Sequence, residues 1–211
     1  MSVFIEIHPQ NPQSRLIKQV VEAVRAGGVI IYPTDSCYAL GCQIGNKAAM
    51  DRIRDLRQLD DKHNMTLVCR DLSEIATYAN VDNATFRLLK ANTPGAYTFV
   101  LSATHEVPRR LQHPKRKTIG IRVPDHPITR AILEALGEPL VSSTLSLPQI
   151  NTGGDSPMTD PEEIYERLQH QVDVVVGGGN CGYLPTTVVD FVKGIPTIAR
   201  EGKGDIRPFI K

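Results

Sequence analysis

Thr34, Asp35, Ser36 and Tyr38 follow directly on the apolar run Val29-Ile30-Ile31-Tyr32 and a proline. In α/β sheets ligands bind just beyond the carboxyl ends of strands, so hydroxyls, a carboxylate and a phenol here suit a polar ligand. The same residues suit a plain turn, with Asp35 or Ser36 capping a following helix. Arg57, Lys62 and His63 fall on the connection between a helical and a strand pattern. Cations gathered at such a junction clamp phosphates or carboxylates; alternatively Arg57 answers a helix macrodipole and His63 is a satisfied polar residue. Arg122 and Arg200 each end an apolar strand pattern. A guanidinium buried there needs an anion, either a ligand or an Asp/Glu partner. Arg109, Arg110, Lys115, Arg116 and Lys117, with His113 among them, form a basic run with no acidic residue between Val107 and Thr118. It reads as a solvated loop or as a surface for a polyphosphate or RNA backbone.

These residues need a framework to position them. Leu16, Ile17, Val20, Val21 and Val24 have helical spacing and stop at Gly27-Gly28. Helices are expected at residues 13–26, 47–56, 82–92, 127–136 and 160–169, the last with Asp160 as N-cap, Pro161 at its first position and Glu163 at its third. Strands are expected at 3–7, 29–32, 66–68, 97–101, 118–122, 139–142, 172–176, 186–191 and 196–199. This alternation implies an α/β or α+β sheet with helices against it. With 211 residues and 41% hydrophobic content, a single domain over residues 1–211 is expected. No apolar stretch long enough to span a bilayer and no secretory leader are seen, so the expectation is a soluble cytoplasmic protein with no membrane association. The four cysteines form no C-x-x-C pair and three lie in apolar runs, which suits buried reduced thiols; no metal-ligand set is apparent. A net charge of +1 exerts no global pull on nucleic acid. Gly177-Gly178-Gly179 lacks the flanking residues of a phosphate loop and reads as a flexible turn, and residues 147–159 read as a long irregular stretch.

Five segments occur in an order that resembles the YrdC/YciO family: Pro33-Thr34-Asp35-Ser36-Cys37-Tyr38-Ala39-Leu40-Gly41, Pro94-Gly95-Ala96-Tyr97-Thr98, Arg122-Val123-Pro124, Pro185-Thr186-Thr187-Val188-Val189-Asp190 and Arg200-Glu201-Gly202. The resemblance runs from about Gln13 to Gly202 and is nearer the YciO branch, through Arg57-Gln58-Leu59-Asp60, His63-Asn64-Met65-Thr66-Leu67 and the Lys115–Gly120 segment. It implies a twisted, open, mixed α/β sheet with flanking helices and a concave, positively charged surface. It also implies kinship with threonylcarbamoyl-AMP synthases, which join L-threonine, bicarbonate and ATP for tRNA modification, with Mg²⁺ accompanying the nucleotide. Catalysis of that kind is mostly positioning and neutralisation of phosphate charge.

By resemblance, Thr34, His63, Arg122 and Thr186 would hold the amino acid and Tyr38 would line the pocket. Arg57, Thr98, Thr144, Ser146 and Arg200 would hold the nucleotide, and Arg57, Lys62 and His63 are the candidates for catalysis. Two departures stand out. Synthases carry Lys-x-Arg where this chain has Arg57-Gln58-Leu59, and Ser-x-Asn where it has Thr144-Leu145-Ser146. Losing a charge-assisted phosphate contact costs about 1.5–3 kcal/mol, so a retained pocket with weak or altered synthase activity is expected. Two other readings remain: a non-enzymatic protein binding double-stranded RNA or tRNA through Arg109, Arg110, Lys115, Arg116 and Lys117, and a carbamoyl-adenylate enzyme with another acceptor, since hydrogenase-maturation carbamoyltransferases contain a related domain.

Overall fold

A computed structural model describes residues 2–59, 65–148 and 155–210. In chain order the first half holds β1 (Val3–Glu6), α1 (Ser14–Arg25), β2 (Ile30–Tyr32), β3 (Ala39–Gln43), α2 (Lys47–Arg57), β4 (Thr66–Val68), α3 (Leu72–Tyr78), β5 (Ala79–Asn80), α4 (Asn83–Asn92) and β6 (Tyr97–Ala103). The second half adds β7 (Thr118–Arg122), α5 (Pro127–Leu136), β8 (Leu140–Thr144), β9 (Ser146–Pro148), β10 (Asp155–Pro157), α6 (Pro161–Leu168), β11 (Val174–Gly177), β12 (Thr187–Asp190) and β13 (Thr197–Arg200). Every helix and strand expected from pattern is present. Caps explain several of the helix starts: Asp160 accepts from the Glu162 amide, Asn46 from Ala49, and Asp82 from Thr85.

The sequence pattern missed four kinds of element. Strand β3 shows neither alternation nor a clean apolar run, because Ala39, Leu40, Gly41 and Cys42 are all buried while Gly41 and Gln43 interrupt the apolar pattern. Helix α3 spans only seven residues, although Asp71 caps it by accepting from the Ser73 and Glu74 amides. The two-residue β5 is too short to show a pattern. Residues 147–159 are not wholly irregular: β9 and β10 pair antiparallel, Ser146 opposite Pro157.

The main sheet runs β1-β11-β2-β3-β8-β4-β7-β6-β12-β13, with β5 also paired to β6, and it mixes parallel and antiparallel ladders. One face carries Ile31, Leu40, Leu67, Phe99, Ile119, Ile121, Val141, Val175 and Val189, and it is covered by α2, α3, α4 and α6. On the other face Ile30, Tyr32, Ala39, Val68, Leu140 and Val174 pack under α1 and α5, which bring Ile17, Val20, Val24, Ile128, Ile132 and Leu136. The rest of this second face has no helix over it among the described residues. The register sets Ser142, Thr66, Gly120 and Val100 side by side across four strands, and Thr98 beside Val188. Small and hydroxylated side chains therefore floor a concavity where apolar ones would have demanded cover.

Gly177 and Gly178 of the glycine run are packed against the protein core, while Gly179 is exposed. The Tyr38 hydroxyl donates to the Gly179 carbonyl at 2.6 Å and accepts from the Gly178 amide at 3.2 Å. A Cβ on Gly178 would stand 2.6 Å from Ile128 Cδ1 and 2.9 Å from Pro33 Cγ. The flexible turn expected here is a close-packed one. Gly178→Ala should therefore lower the thermal midpoint by about 5 °C, since overpacking costs about 1–3 kcal/mol and each kcal/mol moves a domain of this size by roughly 2–4 °C. An unchanged melt would mean that Pro33 and α5 yield freely.

Candidate functional site

A cavity of about 580 Å³ lies over the uncovered part of the sheet. Its floor is Thr66, Thr98, Val100, Gly120, Ser142 and Val188, and its walls include Arg57, Arg122, Thr144, Ser146, Thr186 and Arg200. Seven residues expected at the site thus meet in one place: Arg57, Thr98, Arg122, Thr144, Ser146, Thr186 and Arg200. Three guanidinium groups line the cavity, and no carboxylate does among the described residues. Such a surface favours anions.

Arg122 ends β7 with its side chain only 8% exposed. Its partner is Asp35, 11% exposed on the loop after β2, and Arg122 Nη1 also lies 3.4 Å from Ser36 Oγ. The other Asp35 oxygen accepts from the Asp125 amide at 2.8 Å. Thr34 shapes the loop by donating to the Cys37 carbonyl at 2.6 Å and accepting from the Ser36 amide at 3.1 Å. Residues 33–38 form a tight turn that holds Arg122. No helix follows it, so neither Asp35 nor Ser36 is a helix cap. Arg122 Nε is buried and has no acceptor among the described residues.

Arg200 reaches across from β13 to the Thr186 carbonyl, at 3.2 Å from Nε and 2.8 Å from Nη2. Burial lowers its pKa from the ordinary value, although it remains cationic. Thr186 Oγ1 is in turn 2.8 Å from Thr98 Oγ1, so Arg200, Thr186 and Thr98 form a chain across the cavity wall. The glycine after Arg200-Glu201 makes this contact possible: a Cβ on Gly202 would stand 2.4 Å from the Pro185 carbonyl oxygen. On the opposite side Arg57, at the C-terminal end of α2, donates to the Ser146 carbonyl. Its burial and this reach across to β9 distinguish it from an ordinary helix-end charge.

Other expected residues are placed differently. Tyr38 is fully buried and does not line the cavity; both of its hydroxyl contacts go to the glycine turn, which makes it a brace. Thr34 sits behind the Arg122 contact. Lys62 and His63 lie outside the described residues. Arg109, Arg110, Lys115, Arg116 and Lys117 are all exposed on the β6–β7 connection and do not line the cavity. Buried Val107 and Leu111 anchor that connection, and Arg116 pairs with Asp190. Sequence reasoning missed Thr66, Ser142 and Tyr183 at the cavity; the polar run Ser142-Ser143-Thr144 inside an apolar strand pattern was the available signal.

Cys37, Cys42 and Cys69 are buried and Cys181 half-buried, all unbridged. Burial pushes Cys42 up to about 12 and Cys181 up to about 11, which leaves them protonated and poor nucleophiles. Among the described residues no group of three His, Cys, Asp or Glu could hold a metal ion, and no helix is long and apolar enough to cross a membrane.

Residues 22–202 match the Sua5/YciO/YrdC domain family, described as telomere recombination. The chain belongs to this family. It is 60% identical over 210 residues to the uncharacterized protein YciO of Escherichia coli K12, covering 100% of both chains. It is 28% identical over 165 residues to a threonylcarbamoyl-AMP synthase of Vibrio vulnificus, covering 77% of this chain and 86% of that one. The crystal structure of E. coli YciO superposes with a TM-score of 0.93 at 58% identity, over 100% of both chains. The fold is shared by P. abyssi Sua5, solved with L-threonine, at a TM-score of 0.86 and 20% identity, over 95% of this chain and 58% of that one. The family's mixed sheet with flanking helices is thus the fold found here, and the relationship to threonylcarbamoyl-AMP synthases is established.

Two outcomes follow for the Arg122 end of the site in this family member. Asp35→Asn leaves a buried guanidinium without its carboxylate and should reduce stability by about 3 kcal/mol in a denaturant titration, whereas a loss below about 1 kcal/mol would show that solvent compensates. His126 caps α5 by accepting from the Ile128 amide at 3.2 Å, and burial lowers its pKa, against the opposing pull of Asp35 and Asp125. Its unfolded form therefore takes up a proton first, so the stability it contributes is full above about pH 6.5 and is lost as pH falls below that. His126→Asn, which keeps a capping oxygen, should flatten the fall in thermal midpoint between pH 7 and pH 5.5; an unchanged slope would assign it elsewhere.

Proposed function

We propose that the cavity binds ATP and L-threonine and that the protein forms threonylcarbamoyl-AMP from threonine, bicarbonate and ATP, slowly compared with synthases that carry Lys-x-Arg. The reading rests on one observation above all: Arg57, Arg122 and Arg200 converge with Thr and Ser hydroxyls on a cavity without a lining carboxylate among the described residues. Kinship with a threonylcarbamoyl-AMP synthase supplies the reaction class.

In that reaction the threonine amine and bicarbonate give a carbamate and water. A carbamate oxygen then attacks the α-phosphorus, the bond from that phosphorus to the bridging oxygen breaks, and pyrophosphate leaves. The carbamate is a weak nucleophile, so alignment and charge neutralisation carry the catalysis. Arg122 and the Thr186 hydroxyl, both on the cavity wall, would take the amino-acid carboxylate. Arg57 and Arg200 would face the phosphates, beside Thr98, Thr144 and Ser146. Mg²⁺ would arrive on the phosphates and neutralise part of their charge.

Leu59 stands where synthases have an arginine, and Ser146 where they have an asparagine. One lost charge-assisted contact, at about 1.5–3 kcal/mol, corresponds to a rate roughly 10- to 150-fold lower. Purified protein with ATP, Mg²⁺, threonine and bicarbonate should release pyrophosphate at about that deficit relative to a Lys-x-Arg synthase. Arg57→Lys with Leu59→Arg and Ser146→Asn should raise the rate. Absence of both ATP binding and turnover would refute the reading, and turnover at the full synthase rate would refute the weakened site.

A further inference from the structure

Tyr183 lines the cavity yet is 69% exposed, an aromatic side chain left largely in water at the mouth of a polar site. Its backbone is held on both sides. The Cys181 amide donates to the Thr159 carbonyl at 3.1 Å, and the Lys203 amide donates to the Pro185 carbonyl at 2.8 Å. Gly182 is pressed against the loop after β2, where an added Cβ would stand 3.0 Å from the Ser36 carbonyl oxygen. The phenol ring therefore projects from a fixed segment at the cavity mouth.

The segment rests through Gly182 on the loop that holds Arg122, and through Cys181 it is tied to the wall offered above for the nucleotide. Thr159 follows β10, whose Pro157 pairs with Ser146 and lines the cavity with Tyr183. Ser146 in turn accepts from Arg57. The anion-binding residues offered for both ends are largely enclosed, Arg122 and Thr186 at 7% and 5% exposure and Arg57 and Ser146 at 8% and 6%, so Tyr183 stands out at the mouth. A ligand whose anionic groups lie among the arginines has its uncharged, flat portion at the mouth. An exposed aromatic face there gains by being covered, and a nucleobase is the flat π-surface that a nucleotide offers.

We propose that Tyr183 is a stacking platform for the base of the bound nucleotide. This rests on the nucleotide reading of the cavity. Stacking tolerates any base, so Tyr183 would strengthen purine nucleotides generally and leave the choice of base to other groups.

The test is calorimetric titration of the parent, Tyr183→Ala and Tyr183→Phe with Mg-ATP, Mg-GTP and inorganic tripolyphosphate, which has no base. Tyr183→Ala should weaken Mg-ATP roughly ten-fold and any Mg-GTP binding by a similar factor, and leave tripolyphosphate unchanged. Tyr183→Phe, which keeps the ring, should bind Mg-ATP as the parent does. A parent that binds Mg-ATP, with Tyr183→Ala binding it equally well, overturns the platform alone. Equal weakening of Mg-ATP and tripolyphosphate also overturns it, by assigning Tyr183 to the shape of the mouth. A parent that binds no Mg-ATP overturns the nucleotide reading and the platform together.

Discussion

A guanidinium at the end of a buried strand must be answered by an anion, and here the answer organises the loop from which the site is built. Arg122 closes β7, and Asp35 reaches it from the loop after β2, with β3, β8 and β4 lying between those strands in the sheet. The contact therefore joins chain from both halves of the sheet. Other groups converge on the same loop: Thr129 Oγ1 donates to the Pro33 carbonyl at 2.5 Å, Lys203 Nζ to the Asp35 carbonyl, and the Asp125 amide to the Asp35 carboxylate. With both of its carboxylate oxygens engaged, Asp35 acts as a fixed counter-charge. Arg122 is thereby held in place at the cavity wall.

The second constraint is coverage. Helices α1 and α5 close only part of one sheet face, and their apolar stripes match Ile30, Tyr32, Val68, Leu140 and Val174. At the border the Tyr32 hydroxyl lies 2.7 Å from Ser142 Oγ, and burial pushes its pKa up to about 12, so it remains a neutral hydrogen-bonding group. Beyond that border the strands show Thr, Ser and Gly. These residues satisfy one another, as Thr98 and Thr186 do, and they tolerate contact with water or a polar ligand. The cavity is the consequence of a sheet wider than the helices laid on that face.

Arg57 and Ser146 are 89 residues apart in sequence, yet the Arg57 guanidinium donates to the Ser146 backbone carbonyl in the fold. A change at one alters the other's surroundings. Substitutions at the two positions are therefore expected to be non-additive.

Much of the fold was legible in the chain. Local rules governed the helices, because caps such as Asp160 and Asn46 and stripes such as Ile17-Val20-Val21-Val24 act within a few residues. Buried strands such as β2 and β11 showed themselves as short apolar runs, whereas β3, with Gly41 and Gln43 breaking the run, did not. The resemblance also marked seven of the residues that meet at the cavity. The sequence by itself determined most of the segments that become helix or strand and which side chains are chemically equipped. Only the tertiary structure decided which of those side chains face the cavity and which brace it. Tyr38 turned inward to the glycine turn, Asp35 became the partner of Arg122, and Thr66 and Ser142 came to the floor. The physical reason is that facing is set by strand register and by the helices laid over each face, and both depend on partners far away in the chain.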